Sequence, residues 1–180
     1  MHTARLCFII LLTFGCAKSV PQPPSSTRIT AETHTVQASG QPTEAELTLH
    51  AQNGVSLVVD LRGSSEDRGF NEEAVVEKLG MTYISLPITS RDDLTLEHAR
   101  ELDQILSRAQ GPALLHCRSG NRVGALVALR AGLDLELSTD SALEIGREHG
   151  LTSLEEHARG ILEQRTLAPT GDGPSSSSGE

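Results

Sequence analysis

The chain has 180 residues and a formal net charge of −9, with 15 lysines and arginines set against 24 aspartates and glutamates. That balance leaves no basic footprint for nucleic acid or for an anionic membrane surface. Beyond residue 16 the aromatics are Phe70 and Tyr83 alone, so platforms for stacking bases or sugars are not expected and the core must be aliphatic.

Residues 1–16 carry one cation, Arg5, ahead of an apolar run from Leu6 to Gly15 that is too short to span a bilayer. This reads as a secretory leader. Because Gly15 precedes Cys16, the stretch Leu12-Thr13-Phe14-Gly15-Cys16 resembles a permissive lipobox, with Cys16 as the lipidated residue. Thr13 and Phe14 depart from the preferred pattern, which leaves plain leader cleavage or a retained anchor open. The reading is an exported protein, periplasmic or an envelope lipoprotein, that meets the membrane only through its N-terminus. Residues 17–30, rich in Pro and Ser, read as a tether, and residues 167–180 as a low-complexity, disordered tail.

Between them, residues 31–166 read as one domain in which apolar runs alternate with amphipathic stretches. A first strand is expected over Thr35 to Ala38. Thr43 and Glu46 then make a capping-box pattern for a helix that Gly54 ends. Ser56 to Leu61 reads as a buried strand, Asn71 as the cap of a helix over Glu72 to Leu79, and Met81 to Leu86 as the next strand. Thr95 caps a helix over Leu96 to Ala109 whose apolar positions keep helical spacing. Pro112 to His116 is a fourth strand. From Asn121 the chain reads as all helical: Asn121 to Ala131, about Thr139 to His149, and a last helix near Ser153, with Glu156 at capping-box spacing. The expected class is α/β, a central, mostly parallel four-stranded sheet flanked by helices with an all-helical C-terminal part.

Chemistry concentrates after the fourth strand, in His116-Cys117-Arg118-Ser119-Gly120-Asn121-Arg122. This order puts a thiol at the N-terminal end of a helix, where unpaired amides and the helix dipole favour a thiolate or a bound oxyanion. Arg118 and Arg122 add two cations. With Cys7 and Cys16 in the leader, Cys117 is the one thiol of the expected domain, and no disulfide can form there. A buried core role is the plainer reading of a lone cysteine, but Arg, Ser, Gly, Asn and Arg are poor core material. Ligands of parallel sheets sit at the carboxyl ends of strands, so residues following the other strands are drawn in. Arg62 could add to anion binding or form a surface salt bridge to Asp60 or Glu66. Asp92 or Asp93 could supply a general acid or simply precede the Thr95 cap. The seven histidines show no paired ligand spacing, so neither metal nor cofactor is expected, and His116 should point away from the cradle.

The run from Ser39-Gly40-Gln41-Pro42-Thr43 through Val58-Val59-Asp60-Leu61-Arg62 to His116–Arg122 resembles the phosphatase-like domain of beta-lactamase-hydrolase-like proteins, an offshoot of the dual-specificity and tyrosine phosphatase fold. The resemblance covers roughly residues 35–162. It implies a cysteine-phosphatase-like architecture with Cys117 as nucleophile and Arg122 as oxyanion clamp. The amides of Arg118, Ser119, Gly120, Asn121 and Arg122 would form the substrate-binding cradle. Typical cysteine phosphatases place five residues between cysteine and arginine and a Ser or Thr after the arginine. Here there are four, and Val123 follows. Four is also the spacing of single-domain rhodaneses, which carry a persulfide on the cysteine.

Three functions follow from these residues. The first is a cysteine-dependent hydrolase of phosphate esters, with Asp92 or Asp93 protonating the leaving oxygen. A second is a sulfurtransferase working through a Cys117 persulfide, which needs no general acid. The third is a non-catalytic anion-binding envelope module. The partner is accordingly a phosphorylated or a sulfane-sulfur substrate, small molecule or protein.

Overall fold

The structure is a computed structural model that describes residues 35–134 and 136–167. The leader with Cys16, the tether, and the tail beyond residue 167 lie outside the described residues. Four strands, β1 (Val36–Ser39), β2 (Leu57–Asp60), β3 (Thr82–Ser85) and β4 (Ala113–His116), form one sheet in the order β1-β4-β2-β3. Every pairing is parallel. Around them lie α1 (Glu44–Gln52), α2 (Glu72–Lys78), α3 (Leu96–Ser107), α4 (Asn121–Ala131), α5 (Thr139–Glu148) and α6 (Glu155–Leu167).

The central strands β2 and β4 are buried along their whole length, as parallel strands covered on both faces must be. Their side chains alternate between two cores. Leu57, Val59, Ala113 and Leu115 join the larger core, with residues of α3, α4, α5 and α6, whereas Val58 and Leu114 join the smaller one against Leu47 and Val76 of α1 and α2. The same alternation carries past the strand ends. His116 falls to the α1/α2 side and Cys117 returns to the larger core.

Helix starts follow the expected capping chemistry. Thr43 and Glu46 exchange both hydrogen bonds of a capping box, and Asn71, Thr95 and Ser138 each accept an amide hydrogen bond from the first turn of α2, α3 and α5. The last helix begins at Glu155, near the expected Ser153, but Ser153 is not its cap: its hydroxyl accepts a hydrogen bond from Asn121 Nδ2 at 2.8 Å. Close packing of α4 on α5 needs Gly124, where an added Cβ would stand 2.1 Å from the backbone nitrogen of Leu151. Among the described residues, no helix is long and apolar enough to cross a membrane.

Candidate active site

The turn between β4 and α4 is built by Gly120. It sits at the helix N-cap with φ of 86°, a left-handed conformation that suits glycine, and it offers no side-chain cap. Its own amide donates to Cys117 Sγ at 3.1 Å. The first intrahelical bond of α4 runs from the Gly124 amide to the Gly120 carbonyl, so the N–H groups of the first turn have no acceptor within the helix. The turn after β1 holds the loop from the side. Ser39 O accepts from the Cys117 amide at 3.4 Å, the Gln41 amide donates to Arg118 O at 3.3 Å, and Gly40 bridges Ser119.

Arg122 is aimed by the protein. Nη1 donates to Glu66 Oε1 at 2.7 Å and to the carbonyls of Ile88 at 2.8 Å and Leu61 at 3.3 Å, while Nη2 donates to Glu66 Oε2 at 2.8 Å. A guanidinium has five N–H donors in a fixed fork. With both Nη1 protons and one Nη2 proton committed, Nε–H and the second Nη2 proton remain for the cradle. Arg122 is held above its ordinary pKa first by the Glu66 hydrogen bond, with further contributions from the charge and hydrogen bonding of the Cys117 sulfur. Glu66 is correspondingly pulled down to about 2, first by the hydrogen bond from Arg122.

The other expected site residues are placed as follows. Arg118 and Ser119 are exposed on the loop. The Asn121 side chain is taken up by the fold, donating to Ser153 and accepting from the Thr152 amide at 2.8 Å, so its backbone amide is what it can offer to a ligand. Arg62 is buried, and its guanidinium donates to Glu66, to Gln41 Oε1 and to the Asp67 carbonyl. Of the two readings for this residue, the geometry matches the salt bridge to Glu66, with Arg62 buried and not at the surface as expected. Asp93 Oδ2 accepts from the amides of Thr89 and Ser90 and from the Thr89 hydroxyl, at 2.7 to 2.8 Å. Those bonds, the Thr89 hydroxyl's first, hold its carboxyl at about 2. Asp92 is exposed, and its backbone amide donates to Ser90 Oγ at 3.2 Å.

Behind the loop lies a polar cluster that spacing did not show. Asp60 and His116 are register partners at the ends of β2 and β4, and Glu72 of α2 joins them. His116 Nε2 is 2.8 Å from Glu72 Oε1 and 3.8 Å from Asp60 Oδ1. The shorter contact lies within hydrogen-bond distance but off line for a bond. Asp60 Oδ2 accepts from Arg68 at 2.6 Å and from the Tyr83 hydroxyl at 2.8 Å. Burial, then that bond to Asp60, pushes the Tyr83 phenol above its ordinary value. These three residues are, among the described residues, the group that could hold a metal ion. Arg68 and Gln41 already tie down the outer carboxylate oxygens of Asp60 and Glu72, which suits a closed brace behind the loop. His116 thus points away from the cradle.

Sequence reasoning missed Glu66 as the partner of Arg122, and it missed Gln41, Arg68, Glu72 and Tyr83. The strand-end rule gave the one usable signal, since Glu66 and Arg68 both follow β2. Among the described residues, a concavity of about 770 Å³ lined by Leu106, Val127, Leu137 and Ile145 includes none of the cradle residues.

Residues 19–160 match the family described as DSP-PTPase phosphatase fused to NAD+ kinase. A beta-lactamase hydrolase-like protein of Xylella fastidiosa (strain Temecula1) is 27% identical over 116 residues, which is 62% of this chain and 27% of that protein. The chain thus spans about a quarter of the length of this curated relative. Among solved structures, the nma1982 protein of Neisseria meningitidis Z2491 superposes with a TM-score of 0.61 at 24% identity, covering 73% of this chain and 92% of that one. Tk-PTP in its active form gives 0.57 at 25% identity, covering 72% and 92%. With a match over most of its length and this parallel sheet bearing a cysteine loop, the chain belongs to that DSP-PTPase family, within the dual-specificity and tyrosine phosphatase-like superfamily.

Proposed function

We propose that the chain is a cysteine-dependent phosphatase-like hydrolase of phosphate monoesters. The observation that supports this most is the pairing of the Gly120 amide on Cys117 Sγ with an Arg122 whose two uncommitted donors remain for the loop. The Cys117 thiolate attacks phosphorus in line, so a P–S bond forms as the ester P–O bond breaks. Arg122 and the amides of residues 118–122 stabilise the equatorial oxygens as charge develops on them. Asp93 is engaged by Thr89 and Ser90 and held ionised, which leaves Asp92 to protonate the departing oxygen. Water then hydrolyses the phosphocysteine and returns the thiolate.

A second reading, a sulfurtransferase carrying sulfane sulfur on Cys117, is favoured by the four-residue spacing between Cys117 and Arg122. A short loop makes a smaller ring of amides, better matched to a terminal sulfur than to three phosphoryl oxygens. The two are separated by offering the protein an aryl phosphate and, separately, thiosulfate with cyanide, each with a Cys117→Ser control. Cysteine-dependent release of phosphate supports the hydrolase; turnover of thiosulfate alone overturns it. Turnover of neither leaves the anion-binding module. Export to the envelope and lipid attachment at Cys16 belong to the same proposal, and fractionation of cells expressing wild-type and Cys16→Ala chains tests them.

A further inference from the structure

Both ends of the cysteine signature are held from behind, and the two supports meet. On one side His116, immediately before the nucleophile, lies 2.8 Å from Glu72 Oε1. On the other, Arg122 is gripped by Glu66, and Glu66 Oε2 also accepts from Arg62 Nε at 3.3 Å. Gln41 closes the gap. Its Nε2 donates to Glu72 Oε2 at 2.9 Å and its Oε1 accepts from Arg62 Nη1. Its backbone amide reaches the loop directly at Arg118 O. One side chain from the turn before α1 thus joins a ring that runs His116, Glu72, Gln41, Arg62, Glu66, Arg122.

The ring is costly to bury. Glu72 is 2% exposed and Arg62 7%, and an ionised group taken out of water is strongly disfavoured unless its partners are well placed. A merely structural contact between α1 and α2 needs no such groups, because Leu47 and Val76 already fill that interface. The arrangement has directional consequences that apolar packing lacks. The primary amide of Gln41 donates to a carboxylate and accepts from a guanidinium at the same time, from two atoms of one group.

We infer that Gln41 is a positioning residue for the loop, setting the orientation of Arg122 through Arg62 and Glu66 and fixing Glu72, whose carboxylate stands beside His116. This rests on the phosphatase reading of the site. Gln41 touches neither substrate nor sulfur, and it acts by fixing the groups that do. A displacement of the clamp by a fraction of an ångström is enough to matter, since misplacement by about 1 Å can cost about 10²-fold in rate.

Two substitutions test it. Gln41→Leu keeps the bulk and removes both hydrogen bonds. Gln41→Glu keeps the acceptor for Arg62 but turns a carboxylate toward Glu72. The charged and titratable groups facing that position are Arg62 and Glu72 directly, Arg68, Asp60, His116 and Glu66 one step away, and Glu46 and His50 of α1 in the recess beside it. A proton shared between the introduced carboxyl and Glu72 restores the missing donor. The expected result is a fall of about 10–100-fold in kcat/KM for an aryl phosphate in Gln41→Leu. In Gln41→Glu the loss is large at pH 8 and shrinks as the pH is lowered toward 5.

Alkylation of Cys117 by iodoacetamide, followed by mass spectrometry with and without inorganic phosphate, gives a readout independent of turnover. Phosphate protects the wild-type thiol and protects Gln41→Leu at least tenfold less well. Variants that match wild type in kcat/KM, in pH profile and in protection overturn the inference while leaving the phosphatase reading standing. A wild-type protein that hydrolyses no aryl phosphate but is protected by phosphate overturns the hydrolase reading, and the protection series alone then decides the role of Gln41. A wild-type thiol that phosphate does not protect removes the cradle, and the ring's purpose with it. If Gln41→Leu fails to fold, the pH profile and protection of Gln41→Glu carry the test.

Discussion

Arg122 and Glu66 meet face to face, Nη1 on Oε1 at 2.7 Å and Nη2 on Oε2 at 2.8 Å, so one edge of the guanidinium is occupied by the protein and the other is left for a ligand. A paired fork of this kind gives orientation as well as energy. Glu66→Gln keeps one of the two bonds and removes the charge. Its kcat/KM for an aryl phosphate is expected to fall about 10-fold, and that of Glu66→Ala about 100-fold. Steady-state kinetics at pH 7 check this, and an unchanged Glu66→Ala would mean that Arg122 is oriented without it.

The same pair has a signature in acid stability. The Glu66 carboxyl is held down from 4.5 to about 2. A depressed acid contributes stability that is fully present above the unfolded value and fades as pH falls through the folded one. The window is therefore pH 4.5 down to about 2. Urea denaturation should find wild type more stable than Glu66→Gln by about 1 kcal/mol at pH 6, far less than the bare shift implies because the side chain is 27% exposed. The gap should close by pH 2. A gap that is constant with pH contradicts the assignment.

Asp92 and Asp93 are neighbours with different expected phenotypes. Asp92→Asn should slow hydrolysis of an alkyl phosphate by about 10²–10⁴-fold, and much less for a nitrophenyl phosphate whose leaving group needs no proton. Asp93→Asn removes the charge from the acceptor of three hydrogen bonds from Thr89 and Ser90 and so weakens them. The weakening should appear as faster amide exchange over residues 88–95 and as a similar loss of rate on both substrates. A leaving-group dependence for Asp93→Asn, and none for Asp92→Asn, would reverse the roles.

Gly120→Ala places a Cβ on a residue with φ of 86°, which costs about 1–2 kcal/mol. Relieving that strain turns the amide off Cys117 Sγ, so activity should fall further than stability does. Gly124→Ala is the contrasting case. Its Cβ would meet Leu151 N at 2.1 Å and Gly146 O at 2.7 Å, and the overpacking should cost about 1–3 kcal/mol. Thermal unfolding alongside kinetics separates the two. Equal losses of activity per unit of stability would contradict the special role of the Gly120 amide.

Much of this fold was legible because its signals are local. Thr43 with Glu46, Asn71, Thr95 and the apolar runs of the central strands each specify an element within a few residues, and short links between alternating elements make the sheet parallel. Cys117 and Arg122 were legible for the same reason, both lying in one short stretch. Ser153 misled because its hydroxyl answers to Asn121, a residue 32 positions earlier. Glu66, Gln41 and Glu72 stayed hidden because each is an ordinary polar residue in sequence. They acquire a role only when β1, β2 and β4 come side by side and their carboxyl ends converge. Arg62 shows the limit of the strand-end rule, which brings a cation to the right edge without saying whether it faces a ligand or a carboxylate.

The most direct test of the account is to trap the intermediate. Wild-type protein mixed with an aryl phosphate, quenched in acid within milliseconds and digested, should yield the Cys117 peptide carrying one phosphoryl group on sulfur. That adduct should decay at the rate of steady-state turnover. Phosphate release with Cys117 unmodified throughout, or an adduct that holds sulfur in place of phosphorus, would contradict it.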